Sequence, residues 1–159
     1  MNRTIFAIIL SFIFTLYAND NNDFLIKDWK IYSLEGENII PKKKKTLYNF
    51  STSWCSFCQN EKKYLKELKN KNKDLEIILI FLDTKGDTVE EIKNYIKTEN
   101  LNFLIAYDFN SELKNKLKIK KVPYNLLFDK DGKIEEIIDG EIQNFFIKWR
   151  SFYERGKFF

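Results

Sequence analysis

Residues 46–58 read Thr-Leu-Tyr-Asn-Phe-Ser-Thr-Ser-Trp-Cys-Ser-Phe-Cys, a largely apolar segment that runs into a pair of cysteines. Its first half, Thr46 to Ser51, is typical of a short apolar strand, and a helix is expected to begin near Cys55. A cysteine at the start of a helix faces unpaired backbone N–H groups and the positive end of the helix dipole. Both features stabilise a thiolate over a thiol, the dipole by up to about 2 kcal/mol.

Cys55 and Cys58 are the only cysteines of the 159 residues, and the chain contains no histidine. The lack of histidine excludes His-based acid/base catalysis and His-ligated metal sites. Two thiols alone do not supply the four ligands of a zinc site, so no metal is expected. A structural disulfide is the main alternative, but a bridge of such short span constrains the unfolded chain little. We therefore predict redox exchange, with Cys55 as the nucleophile and Cys58, one turn into the helix and shielded, as the resolving thiol.

The amino terminus resembles a secretory signal peptide. Arg3 provides a positive start, residues 5–16 are almost entirely apolar, Ala18 offers a small residue for cleavage, and residues 19–23 are polar. The apolar run is shorter than the ~20 residues that a membrane span needs. We expect an exported protein in the periplasm or another extracytoplasmic compartment, tethered to the membrane if the signal is not cleaved. Disulfides persist in such compartments.

Strand and helix patterns alternate along the rest of the chain. The expected strands are Trp29–Leu34 and Asn38–Ile40, which would form an N-terminal β-hairpin, and then Leu75–Leu82, Phe103–Ala106, Tyr124–Phe128 and Lys133–Ile138. Asp87 and Ser111 are expected to cap two helices, and Ile142 to Tyr153 carry the apolar stripe of a last one. This order predicts an α/β domain with a central mixed sheet flanked by helices. It would occupy residues 28–155, after a signal peptide at 1–18 and a short polar lead at 19–27.

The charge is modest and dispersed. Lys and Arg number 27 and Asp and Glu 23, which gives a net charge of +4. This is too small to indicate a nucleic-acid-binding protein. The run Lys42–Lys45 is typical of a solvated loop, with contact to an anionic membrane surface or partner as the alternative. We expect a monomer.

The strand, Trp-Cys-x-x-Cys and helix, with Val122-Pro123 about 65 residues later before a hairpin, resemble the thioredoxin superfamily. Within it the chain is similar to exported thiol–disulfide oxidoreductases of the TlpA/ResA type. Asn49-Phe50 resembles the Asn-Phe-Trp strand of these proteins, and Glu61 stands where they carry an acidic residue, three positions after the second cysteine. The strand and helix inserted between Leu75 and Ala106 resemble the insertion that these proteins add to the thioredoxin fold. The dipeptide Ser56-Phe57 departs from the usual proline-containing pair.

The resemblance implies several site residues. Pro123 would be cis, with Val122 opposite the cysteines and its backbone pairing with an extended substrate peptide. Trp54 would form an exposed lip for the substrate. Glu61 becomes a candidate proton acceptor for Cys58, the alternative being a solvent-facing helix glutamate.

The resulting hypothesis is an exported dithiol oxidoreductase that acts on protein thiols and disulfides. In the family the task is usually reductive, including the preparation of apocytochrome c cysteines for haem, with general periplasmic redox homeostasis as the other role. An external electron donor, membrane-bound or not, must reset the pair, and no cofactor is expected because no flavin or nicotinamide motif is present. A thiol peroxidase, for which Thr52-Ser53-Trp54-Cys55 is suggestive, and a non-catalytic binding module on the same fold are the alternatives.

Overall fold

The computed structural model describes residues 29–143. The elements are β1 (Lys45–Ser51), α1 (Ser56–Lys71), β2 (Leu75–Leu82), α2 (Val89–Thr98), β3 (Leu104–Asp108), a 3₁₀ turn (Phe109–Ser111), α3 (Glu112–Lys116), β4 (Tyr124–Phe128) and β5 (Ile134–Asp139). The expected signal peptide and the expected last helix beyond residue 143 lie outside the described residues. Within 29–143, no helix is long and apolar enough to cross a membrane.

Five strands form one mixed sheet in the order β3-β2-β1-β4-β5. β1 pairs in parallel with β2, and β2 with β3, whereas β4 pairs antiparallel with both β1 and β5. The mixed sheet flanked by helices is as predicted. Because β1 and β2 are parallel, their carboxyl ends meet at one edge, where Ser51 pairs with Phe81.

β2 is buried on both faces, as its apolar sequence, interrupted only by Glu76, predicts. Its side chains alternate between two cores. Ile77, Leu79 and Phe81 pack with Leu65 and Leu68 of α1 and Ile92 of α2. On the opposite face, Ile78, Ile80 and Leu82 pack with Trp29 and Leu113 of α3. Two hydrophobic layers therefore fix the sheet from both sides, and the start of α1 is held against its edge.

The N-terminal hairpin is less regular than expected. Tyr32 forms isolated bridges with Asn38 and with Tyr107, and no named strand covers residues 29–40. The turn itself is present, since the Ser33 N–H donates to the carbonyl of Glu37 at 2.8 Å. Tyr32 also accepts from the Tyr107 N–H at 2.9 Å, which attaches this segment beside β3. Most of its backbone groups therefore lack the repeated pairing that defines a strand.

Two helix caps differ from the prediction. Thr88, not Asp87, is the N-cap of α2, and it forms a capping box with Glu91. Ser111 precedes α3 but makes no capping bond with its side chain. Asp108 takes that role from the end of β3 by accepting the N–H groups of Leu113 at 2.7 Å and Lys114 at 2.9 Å. A carboxylate from a neighbouring element satisfies the same orphan donors as a local cap.

Replacing Leu79 by alanine tests the central position of β2. Leu79 is fully buried, so Leu79→Ala should lower the free energy of unfolding by about 2–5 kcal/mol through lost burial and cavity formation. Leu104→Ala is the matched control, because Leu104 lies in the same sheet but is 40% exposed, and it should cost less than about 1 kcal/mol. Urea unfolding measures both; equal losses would contradict this account of the core.

Candidate active site

Cys55 is the N-cap of α1 and stands directly beyond the carboxyl end of β1. Its backbone is extended, with φ −80 and ψ 112, and its sulfur accepts a hydrogen bond from the backbone N–H of Cys58 at 3.2 Å. The predicted position of Cys55 at a helix start is confirmed. The sulfur therefore lies at the positive end of the helix, where negative charge is stabilised.

Cys55 and Cys58 form a disulfide, with their Cα atoms 5.2 Å apart. Cys55 is 7% exposed, whereas Cys58 is fully buried beneath it. Only the first sulfur can therefore meet another molecule without rearrangement of α1. This asymmetry matches the expected difference between an attacking and a resolving thiol.

Val122 and Pro123 lie opposite the cysteines, and the peptide bond between them is cis. The carbonyl oxygen of Val122 is 3.8 Å from the sulfur of Cys55. Pro123 itself is buried, and β4 begins at the next residue. The sheet order explains the proximity, because β4 is the antiparallel neighbour of β1 and its first residue pairs with Phe50 near the end of that strand.

Trp54 and Phe57 form an exposed apolar rim, with 59% and 60% of their surface accessible. The indole N–H of Trp54 donates to the hydroxyl of Thr84 at 3.4 Å. Gly86 lies against the indole, since a Cβ added there would meet the ring at 3.8 Å. The exposed position expected for Trp54 is thus the one observed.

A groove of about 450 Å³ brings these residues together. Trp54, Cys55, Phe57 and Val122 line it. Its remaining wall carries three lysines, Lys114, Lys120 and Lys121, and no carboxylate is among its lining residues in the described part of the chain. The groove is therefore apolar next to the sulfur and positively charged along one side.

Glu61 lies beneath the groove and is fully buried, so the solvent-facing alternative is wrong. Its carboxylate accepts hydrogen bonds from the side-chain amides of Asn49 at 2.6 Å and Asn125 at 2.8 Å and from the N–H of Ile142 at 2.7 Å. Burial raises the pKa of Glu61, and these three bonds oppose the rise. Within residues 29–143, no hydrogen bond joins Glu61 to either cysteine.

Asp87 fixes the turn that carries Trp54, a role that the sequence analysis missed. Both of its carboxylate oxygens accept the Ser53 N–H at 3.1 Å, and one also accepts the Ser53 hydroxyl. On the other side, the Gln59 side chain donates to the Ser53 carbonyl at 2.8 Å. Burial raises the pKa of Asp87, opposed by the bonds from Ser53. The sequence signal for this role was the position of Asp87 shortly after β2, because the carboxyl ends of β1 and β2 lie side by side.

Lys62 and Asn125 are also buried near the site without having been predicted there. Asn125 bridges Asn49 and Glu61 across two elements. The available signal for Lys62 was its helical spacing, four residues after Cys58 and three before Leu65, which places it on the buried face. Groups of three or more Cys, Asp or Glu side chains that could hold a metal ion are not found in residues 29–143.

A protein-family comparison matches residues 38–144 to Redoxin. The chain is 32% identical over 156 residues to a thiol-disulfide oxidoreductase ResA of Bacillus cereus, covering 88% of this chain and 90% of that protein. Among solved structures, a thiol-disulfide oxidoreductase from Bacteroides fragilis is similar with a TM-score of 0.62 and 26% identity, covering 77% and 96%. The crystal structure of StoA from Bacillus subtilis has a TM-score of 0.64 at 24% identity, covering 77% and 95%, and supports the fold.

The raised pKa of Glu61 predicts a pH-dependent stability. A carboxyl group whose pKa is higher in the folded state stabilises the fold while protonated, and this contribution is lost as pH rises from about 4.5 through the folded pKa. The free energy of unfolding of the wild type should therefore fall over this range relative to Glu61→Gln. Urea unfolding from pH 4 to pH 8 measures the difference. The free energy of unfolding of Glu90→Gln, changed at an exposed site on α2, should depend on pH as that of the wild type does. If Glu61→Gln also showed the wild-type pH dependence, the raised pKa of Glu61 would be contradicted.

Proposed function

Because the chain belongs to the Redoxin family, and within the thioredoxin superfamily to its TlpA/ResA-like thiol–disulfide oxidoreductases, we propose that it is an exported protein-disulfide reductase that works through Cys55 and Cys58. The observation that carries the proposal is the position of the Cys55 sulfur. It caps α1, accepts the Cys58 N–H at 3.2 Å and faces the Val122 carbonyl at 3.8 Å along an open groove. Export rests on the pattern of residues 1–18.

The proposed reaction begins with the reduced pair. The Cys55 thiolate attacks one sulfur of a substrate disulfide, a mixed disulfide forms, and the other substrate sulfur leaves as a thiolate. Cys58 then attacks the sulfur of Cys55, which closes the Cys55–Cys58 bond and releases the second substrate thiol. Two electrons pass from the pair to the substrate, and an external dithiol must return them. The reverse sequence would oxidise a substrate dithiol.

The other site residues receive supporting roles in this proposal. The backbone of Val122, before the buried Pro123, pairs with an extended substrate segment, and Trp54 provides an apolar lip beside it. Glu61, one turn from Cys58 on the buried face of α1, accepts the proton of that thiol through an intervening group such as water. Burial raises the pKa of Glu61, which makes its carboxylate a stronger proton acceptor than that of an exposed glutamate.

We propose further that the physiological substrates are exported proteins, with apocytochrome c one candidate and general extracytoplasmic redox homeostasis the wider role. The proposed reductive direction is taken from the usual task of the TlpA/ResA-type family. A titration of the pair against glutathione decides it. A potential near thioredoxin's value of about −270 mV would support a reductase, and one near DsbA's value of about −120 mV would identify an oxidant.

Two serine variants test the order of attack. With reduced protein and an insulin or peptide disulfide, Cys58→Ser should trap the mixed disulfide on Cys55, because no resolving thiol remains. Cys55→Ser should form at least about 100-fold less adduct, since the remaining sulfur of Cys58 is fully buried. Mass spectrometry of the intact protein measures both. Equal trapping by the two variants would contradict Cys55 as the attacking thiol. Rapid consumption of hydrogen peroxide by Cys58→Ser with a thiol donor would favour a peroxidase.

The lysines of the groove predict a preference among substrates. At low ionic strength, peptide disulfides with aspartate or glutamate within two residues of the cysteine should react about tenfold faster than matched peptides carrying lysine, because like charges are repelled from the groove. The preference should fall in roughly 0.5 M salt. Replacing both Lys114 and Lys120 by glutamine should reduce it, whereas the exposed Lys97→Gln on α2 should not. Stopped-flow rates that are equal for acidic and basic peptides would contradict it.

A further inference from the structure

Lys62 is a buried lysine whose amino group reaches the backbone carbonyl of Cys58. It lies on α1, one turn after Cys58, and only 5% of its surface is exposed. Lysine is almost never buried unless its charge is paired, because removing an ammonium group from water is costly. The proposed catalytic steps do not use Lys62, so its burial needs a separate explanation.

Among the described residues, the amino group of Lys62 contacts only neutral groups directly. It donates to the hydroxyl of Ser51 at 3.0 Å and to the carbonyl of Cys58 at 3.2 Å, and it lies 5.8 Å from the centre of the Phe81 ring. Among residues 29–143 no ion pair joins it to a carboxylate. The adjacent Glu61 directs its carboxylate to the asparagines and to Ile142 instead.

Lys62 nevertheless carries its charge at neutral pH. Burial lowers its pKa to about 8, and the negative charges of Glu61, Glu99 and Asp87 oppose the fall. These three are the charged groups that act on it from α1, from the end of α2 and from the loop before α2. The oxidised pair beside it is neutral. The disulfide form therefore contains a buried cation without a contacting anion.

We infer that Lys62 is a positioning residue of the redox pair, whose buried positive charge favours the reduced state because a thiolate supplies the anion that the disulfide lacks. The inference rests on the proposed function. In the reaction with glutathione, two glutathione thiols lose two electrons and become one glutathione disulfide. The Cys55–Cys58 bond breaks and takes up those two electrons, and where one sulfur stays a thiolate its proton goes to solvent. A nearby cation stabilises that thiolate and leaves the disulfide unaffected.

Neutral variants of Lys62 test the inference through the equilibrium with glutathione. Lys62→Met and Lys62→Gln should each shift the equilibrium constant about tenfold toward the disulfide, which corresponds to about 30 mV for a two-electron couple. Lys63→Met is the matched control, because it removes the same charge from the next, exposed residue of the same helix, and it should change the constant less than twofold. Lys62 variants that also stay within twofold of the wild type would overturn the inference.

The wild-type protein provides a test that needs no substitution. If the charge of Lys62 favours reduction, reduction must favour that charge by the same factor, since coupling between two equilibria is reciprocal. NMR titration of the Lys62 side chain should give a pKa of about 8 in the oxidised protein and a proton affinity about tenfold higher in the reduced protein. Equal affinities in the two states would show that Lys62 only anchors α1 to β1.

The proposed function and the inference about Lys62 can be disproved separately. A wild-type pair that does not exchange with glutathione at all would remove the proposed function. A pair that exchanges normally while remaining indifferent to Lys62 would remove only this inference. A loss of folding in the methionine variant leaves the glutamine variant and the wild-type titration to decide.

Discussion

The structure depends on one junction, at which the central strand β1 ends and the helix α1 begins. A helix start leaves backbone N–H groups without partners, and here the sulfur of Cys55 accepts one of them. Because β1 is hydrogen-bonded on both sides, to β2 and to β4, this junction cannot shift without breaking the sheet. The same pairing brings the segment before β4 to the cysteine, so that the Val122 carbonyl faces the sulfur. Reactivity and substrate access thus share a single structural origin.

Beneath this junction the protein buries polar groups that a purely hydrophobic core would exclude. Asn49, Glu61 and Asn125 form one hydrogen-bonded cluster, and a second bond joins Lys62 of α1 to Ser51 at the end of β1. Each charged group there has hydrogen-bond partners, yet burial still moves the pKa of Glu61 up and that of Lys62 down. Such groups are costly for stability and responsive to a new charge nearby. Under the proposed function, reduction of the cysteine pair would place a thiolate charge near these groups.

Much of the fold was predictable because hydrophobic periodicity reports burial directly. Leu75–Leu82 and Tyr124–Phe128 match their strands to the residue, since both are apolar runs bounded by polar residues or proline. Boundaries were less accurate where partners come from elsewhere in the chain. Thr88 rather than Asp87 caps α2, because Asp87 is bound by Ser53 across the parallel strand ends. Asp108 rather than Ser111 caps α3 for a similar reason.

Spacing along the chain and local periodicity were enough to predict the cysteine pair, its place at a strand–helix junction and the layered α/β architecture. The motif also led, through resemblance, to Val122 and Pro123. The packing of elements distant in sequence places Glu61 among asparagines and turns the Lys62 amino group toward Ser51 and the Cys58 carbonyl. It also decided that lysines line one side of the groove. Those facts arise from contacts between elements distant in sequence. Helical spacing places Lys62 on the buried face with Cys58 and Leu65, but only packing sets its hydrogen-bond partners.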